Sequence, residues 1–404
     1  MSHDQIKQNG TSKTTRNFLG ISFLLFNTLT WLYIVSAISN RLLELQADTI
    51  INTFYFGVIT SVLIGAILSD RIRQLYLIFA WIMFGALASL LPLLWTSNSI
   101  IINLVTNFTL GFSLGLGIPS CLARFAEFTT FQNRGRIGGL ILLLSILCAP
   151  LLLILLKGDL FIVSIASFFW RIASFWVLPA FKSIETREKK PTSFLLVLRT
   201  RSFLLYFIPL LMFCFVDSFE KAYFESFFET EFFEFNKTIE PIFGAIFALV
   251  GGVFADRIGR KKVTIYGFIS LGIAYAAVGM APLWIGSWYF YSVIDGIAWG
   301  IFYLIFVLVL WGDMARSDQR KEKYYAIGGI PFYLSELIVM FFIPQLKGIS
   351  KESAFASFSL AAFFLFLAVL PLMYAPETLP EKKIKERELK QYIDKAKKIK
   401  GKFT

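Results

Sequence analysis

The sequence predicts an all-α integral membrane protein in which twelve transmembrane helices form two pseudo-symmetric six-helix bundles. Three observations carry that expectation. The 404 residues are 56% hydrophobic and 16% charged, where soluble domains carry about 25% charged residues, and their mean hydropathy is +0.67. Twelve stretches reach the roughly 20 apolar residues that cross a bilayer. Short polar motifs in the first half recur in the second at a nearly constant offset.

The elements follow in order. After a tail over 1–17, helix one runs from Phe18 to Ser39 and carries Asn27 and Trp31 at i and i+4, on one face. Val35-Ser36-Ala37 would suit a signal cleavage site, but cleavage would leave eleven spans and destroy the repeat. Helix two, Ile50 to Ser69, ends at Asp70-Arg71-Ile72, and helix three spans Leu75 to Leu94. Helix four, Ile100 to Leu122, presents Asn103 and Asn107 on one face. Helix five, Ile137 to Leu156, opens on Gly138-Gly139, and helix six, Leu160 to Phe181, carries Arg171. These make an N-terminal bundle over 18–181, followed by a polar linker over 182–202.

The second bundle, 203–375, opens with helix seven, Phe203 to Phe224, which bears Asp217 and Glu220 at i and i+3. Helix eight, Ile239 to Ala255, is short and opens on Glu240 and Pro241. Helix nine is Val263 to Leu283. Helix ten, Trp288 to Leu310, aligns Tyr291, Asp295, Trp299 and Tyr303. Helix eleven, Tyr324 to Pro344, is expected to break at Gly328, Gly329 and Pro331, near Glu336. Helix twelve, Ala354 to Tyr374, leads into a basic tail over 376–404, where Leu389, Tyr392, Ile393 and Ala396 fall at helical spacing. Such a tail suits anionic lipid or plain solvent.

Composition also limits the chemistry. The single histidine, His3, lies in the N-terminal tail, so no imidazole is available within the membrane as a general base or metal ligand. Cys121, Cys148 and Cys214 each stand alone in apolar runs, without metal-site or disulfide spacing. No phosphate-cradling Gly-x-x-x-x-Gly-Lys loop occurs. The expectation is no enzyme, no cofactor and no metal. Most of the 39 Lys and Arg fall in the tails and the loops after even-numbered helices. The opposite side holds six, Arg41, Lys157, Lys221, Lys237, Lys347 and Lys351. This positive-inside bias places both termini in the cytoplasm of a plasma-membrane protein. It also accounts for the net charge of +12 without nucleic acid.

Asp70-Arg71-Ile72 recurs as Asp256-Arg257-Ile258 at an offset of 186 residues. At the same offset Glu127 meets Asp313 and Arg134 meets Arg320, whereas Gly138-Gly139 meets Gly328-Gly329 at 190. Parallel repeats of this kind place a substrate site near the midplane between the halves. The run Gly252-Val253-Phe254-Ala255-Asp256-Arg257-Ile258-Gly259-Arg260-Lys261-Lys262 resembles the cytoplasmic loop signature of the major facilitator superfamily. Glu127 with Arg134, Asp313 with Arg320, and Pro376-Glu377-Thr378 resemble loops of its sugar and metabolite porter branches. The first-half copy departs from the pattern, with Ala66 for the leading glycine and Arg73-Gln74 for the Gly-Arg-Lys ending. The glutamines of sugar carriers and the helix-five motif of antiporters are missing.

The resemblance implies alternating access, with helices one, four, seven and ten lining a cavity. It also implies a latch formed by the charged loops, including Asp70, Arg71, Gly252, Asp256, Arg257, Gly259, Arg260, Glu127, Arg134, Asp313 and Arg320. From position alone, Asp256 is expected beside the positive N-terminus of helix nine. Charges inside a bilayer are costly and call for a partner or a function, which singles out Asp295, Asp217, Glu220 and Glu336 as proton- or substrate-binding groups. Lys221, at i+4, offers Asp217 a local ion pair. Asn27, Trp31, Asn103, Asn107, Tyr291 and Trp299 are candidate cavity-lining residues. The expected function is secondary active transport of a small solute, coupled to protons. The alternatives are a drug or cation exporter, an uncoupled facilitator, and a non-transporting receptor or scaffold.

Overall fold

A bilayer leaves the backbone no water to bond, so each crossing segment must satisfy its own amides as a helix. In a computed structural model, described over residues 3–44, 49–94, 100–156, 159–178, 190–227, 230–315, 319–346 and 351–379, the chain does so twelve times. The helices long and apolar enough to cross are α1 (Asn17–Asn40), α2 (Thr53–Arg71), α3 (Gln74–Leu94), α4 (Ile100–Phe128), α5 (Arg134–Leu155) and α6 (Leu160–Val177). Then come α7 (Arg201–Lys221), α8 (Phe235–Ile258), α9 (Arg260–Met280), α10 (Ile285–Met314), α11 (Glu322–Phe342) and α12 (Phe355–Tyr374). Linker residues 182–189 and the basic tail from 380 onward, with the amphipathic stretch expected there, lie outside the described residues.

Several elements differ from expectation. The helix of α1 begins at His3, so the tail is helical from that residue. The helix containing α8 starts at Thr230 and carries Pro241 inside it. The expected break in α11 does not occur, and one helix runs from Glu322 to Leu346. Membrane helices tolerate such prolines because neighbouring groups bond the freed carbonyls. Conversely, α4 is interrupted between Gly115 and Ile118, where a Cβ on Gly117 would strike the Trp81 ring. In α10 the segment Tyr303–Val309 adopts the wider π-helical turn.

Within each half, small residues bring helices together, as in other membrane bundles: a Cβ on Gly111 of α4 would meet the Phe54 carbonyl of α2, and one on Gly300 of α10 would meet the Gly244 carbonyl of α8. The halves join along two seams, α5 against α8 and α2 against α11. The first is the tighter, because Gly139 faces the Ala248 carbonyl while Gly135 and Gly252 lie back to back. Outward-facing apolar side chains such as Ile101, Ile154, Phe161 and Phe363 cover the rim.

Gly139→Ala should therefore cost about 1–3 kcal/mol, the usual range for overpacking. Gly329→Ala, with nothing within 4 Å of the added methyl, should be neutral or stabilising. Thermal unfolding in detergent checks both.

Candidate functional site

Between the halves lies a cavity of about 430 Å³. The first half contributes an apolar and aromatic wall with Leu25, Thr28 and Tyr33 of α1, Tyr55 and Ile59 of α2, and Cys121 of α4. The second half contributes Lys221, Glu240, Trp299, Tyr303, Tyr333 and Glu336. Eight helices share the lining, α2, α5, α8 and α11 in addition to the four that the resemblance implied. The charge lies on the second-half side. Asp217 Oδ2 is 2.7 Å from Lys221 Nζ, which also lies 3.8 Å from Glu336 Oε1. The ammonium sits 4.8 Å from the centroid of the Trp299 ring, and that indole N–H donates to Asp217 Oδ1 at 2.7 Å. Sequence reasoning counted Lys221 among cations of the far side and saw Glu240 only as a helix start. The i to i+4 spacing of Asp217 and Lys221 was the available signal.

The other sequence candidates are distributed differently. Asp217 and Glu220 lie only about 60° apart around α7, yet their side chains meet different surroundings. Glu220 bonds to Tyr291 and lines a separate crevice with Tyr275, Phe215 and Phe358. Asp295 is buried, its Oδ1 without a hydrogen-bond partner, and is absent from the described cavity wall. Tyr291 points toward Tyr275, 3.4 Å away. Asn27 and Trp31 turn inward as well. Asn27 accepts from Ser174 at 2.6 Å and donates to the Trp170 carbonyl, and Trp31 donates to Ser89 at 2.8 Å. Asn107 accepts from Ser39 at 2.9 Å, and Asn103 is fully buried. Of the residues expected to line the cavity, only Trp299 reaches its described wall. The others pack between helices, where a polar side chain needs partners most.

One end of the cavity is closed by charge. The closure lies at the linker face, where Lys190 accepts from the Arg320 backbone at 3.3 Å. Arg134 of the first half and Arg260 of the second both bind Asp313, whose side chain is fully buried. Asp256 was expected beside α9. Its carboxylate instead crosses to the other half and accepts from the Gly135 and Arg136 amides at the start of α5, at 3.0 and 2.9 Å. The amides that open α9, Arg260 and Lys261, donate to Glu377. A helix N-terminus takes whichever carboxylate reaches it, and Glu377 is the one that does. Gly259 has φ +107° and turns its open side to Glu377, a conformation suited to glycine.

The mirror contact is looser. Asp70 binds Lys323 and lies 3.5 Å from Arg320, Arg320 also donates to the Ser69 carbonyl, and Gln74 donates to Glu322 at 2.7 Å. Glu127 pairs locally with Arg124 at 2.9 Å. Arg71 and Arg257 are exposed. Asp70 is 21% exposed and Asp313 is 0%, which decides the cost of breaking each. Asp313→Asn should destabilise by about 3–5 kcal/mol, because it leaves buried guanidinium charge uncompensated. Asp70→Asn should cost at most about 1 kcal/mol. Unfolding midpoints of the two variants check the difference.

No family model matches the sequence, and no curated protein matches it. Solved structures do match its shape. The E. coli fucose:proton symporter FucP is similar over 88% of this chain and 98% of its own at TM-score 0.67 and 12% identity. The human organic anion transporter MFSD10 is similar over 89% and 99% at 0.66 and 14%. A bacterial homologue of the iron transporter ferroportin, in its outward-facing state, is similar over 90% and 98% at 0.68 and 12%. With two six-helix halves, a cavity between them and charged contacts across one end, the chain has the fold of the major facilitator superfamily transporters.

Proposed function

We propose that the protein is a secondary transporter that moves a small solute across the plasma membrane by alternating access. The observation that carries this reading is a cavity walled by both halves and clasped, among the described residues, at the linker face. Breaking the Arg134–Asp313 and Asp256–α5 contacts would let the halves rock and expose the cavity to the other side. The Lys and Arg bias puts that face, and both termini, in the cytoplasm, so the described state opens outward. Anionic lipid headgroups are the expected neighbours of the basic cytoplasmic residues.

Energy comes from the proton gradient. Asp217, Glu336, Glu220 and Asp295 are carboxyl groups within the spans, and a charge there is costly enough to tie its protonation to solvent access and to its partners. Asp295, buried with an unpartnered Oδ1, and Glu336, on the cavity wall, are the leading proton carriers. Glu220 and Asp217 flank them. That the fold admits such coupling is supported by the fucose:proton symporter.

Purified protein in sealed vesicles, given labelled sugars, organic anions and organic cations under an imposed pH gradient, should accumulate one class. Asp295→Asn and Glu336→Gln should abolish gradient-driven accumulation and retain exchange. Absence of flux for every class would favour the receptor or scaffold reading. Asp256→Asn should raise several-fold the labelling, by an impermeant thiol reagent confined to the linker face, of a cysteine placed at Leu122, a cavity residue on the linker-face half of α4. Unchanged labelling would remove the clasp from the mechanism.

A further inference from the structure

Transport by this fold leaves the solute unspecified, but the cavity already holds an ion. The Lys221 ammonium rests over the face of Trp299 at 4.8 Å, 2.7 Å from Asp217 and 3.8 Å from Glu336. The Trp299 N–H fixes the ring by donating to that same aspartate. An aromatic face with carboxylates beside it is the arrangement that recognises ammonium ions. The lysine reaches it from the cavity side, its side chain 48% exposed against 5% for Asp217, on a flexible four-carbon stem. The site is built and covered, while its occupant is tethered and half-exposed.

The rest of the cavity fits an occupant from outside. Glu240 and Glu336 share the described wall with Lys221, and Asp217 stands behind it, so this side carries more acid than base. Across from them Leu25, Tyr33 and Ile59 offer apolar and aromatic surface. The volume of about 430 Å³ falls within the range for small-molecule sites. An acid that stays ionised inside a membrane requires a counter-charge. Exchanging one ammonium for another preserves it, whereas an anion would have to enter against the carboxylates.

We propose that Asp217, Glu336 and the Trp299 face form a binding site for an organic ammonium ion with an apolar or aromatic body, and that Lys221 fills this site until the substrate cation displaces it. The inference deepens the transporter reading and rests on it for the fate of the bound cation. Binding itself requires no transport. In this scheme Lys221 is a tethered competitor, which fixes the sign of its substitution: removing the lysine strengthens cation binding, and removing an acid weakens it.

The test uses the purified full chain with 2-phenylethylammonium and tetraethylammonium as cations and 3-phenylpropionate as an anion of similar size, with binding read by calorimetry. Both cations should bind the unaltered protein and 3-phenylpropionate should not. Lys221→Met should tighten cation binding about tenfold, and Asp217→Asn and Glu336→Gln should weaken it at least tenfold. Loss of cation binding in a folded Lys221→Met protein, or 3-phenylpropionate binding that disappears in that variant, overturns the proposal. So does failure of the unaltered protein to bind either cation. Should Lys221→Met not fold, Trp299→Leu decides: weaker cation binding supports the site, and unchanged binding overturns it. Counterflow in sealed vesicles separates the two readings. Cation binding without flux overturns transport and leaves the site, whereas flux of other solutes without cation binding does the reverse.

Discussion

Asp313 holds an arginine from each half of the molecule, and the rest of the architecture depends on that shared carboxylate. Arg134 and Arg260 are buried, and each is further held by backbone carbonyls: Ala126 and Thr129 for the first, Ala255 and Phe131 for the second. Asp256 completes the balance with a 3.0 Å contact to Arg260 and its bonds to the amides of α5. Two positive and two negative side chains are thereby taken out of water together. Such a group adds little net stability over an apolar packing of the same shape. In the transport cycle proposed above its value would be a second satisfied state, bonded to water in place of itself. Apolar packing alone offers no comparable second state.

The parts legible in the sequence were those set by solvent. Twelve spans could be counted because lipid demands long apolar runs, and the repeat could be seen because charges gather where the chain leaves the membrane. Asp70, Asp256, Arg134 and Arg320 were found in this way, and all four take part in contacts between the halves. What remained hidden was the choice of partner. Asp256 lies three residues before Gly259 in the chain, yet it bonds α5, while Glu377, more than a hundred residues away, takes the start of α9. Helix spacing gives an angle about one axis and says nothing of which neighbour fills that angle. Glu220 therefore parted from Asp217, and Asn27 and Trp31 turned from the cavity into the first bundle.

The two halves also differ in how they handle buried charge. The second half gathers acids around Lys221. The first buries Arg171, which makes no ion pair among the described residues and whose guanidinium lies 4.1 Å from the Trp81 ring and 4.8 Å from that of Trp31. It donates to Thr28 at 2.9 Å and to Asn27 at 3.3 Å, while its Nε and Nη2 have no hydrogen-bond partner. Ring faces and hydroxyl or amide oxygens are weaker compensation than a carboxylate. Positive charge thus stands one layer behind the neutral wall of the cavity and negative charge lies on the opposite wall. A field consequently runs across the cavity, and a bound cation would be drawn to the second half.

The π-helical stretch Tyr303–Val309 lies between these two regions on a single rod. Tyr303 and Phe306 at its start touch the cavity, and Asp313 follows one turn beyond its end. A wide turn accommodates one residue more than a regular turn would. Returning that residue to α geometry would rotate everything beyond Val309 by about 100° relative to Tyr303. Asp313 would then swing off both arginines. The register of this one segment therefore sets the angle at which Asp313 faces its arginines relative to the rings at the cavity.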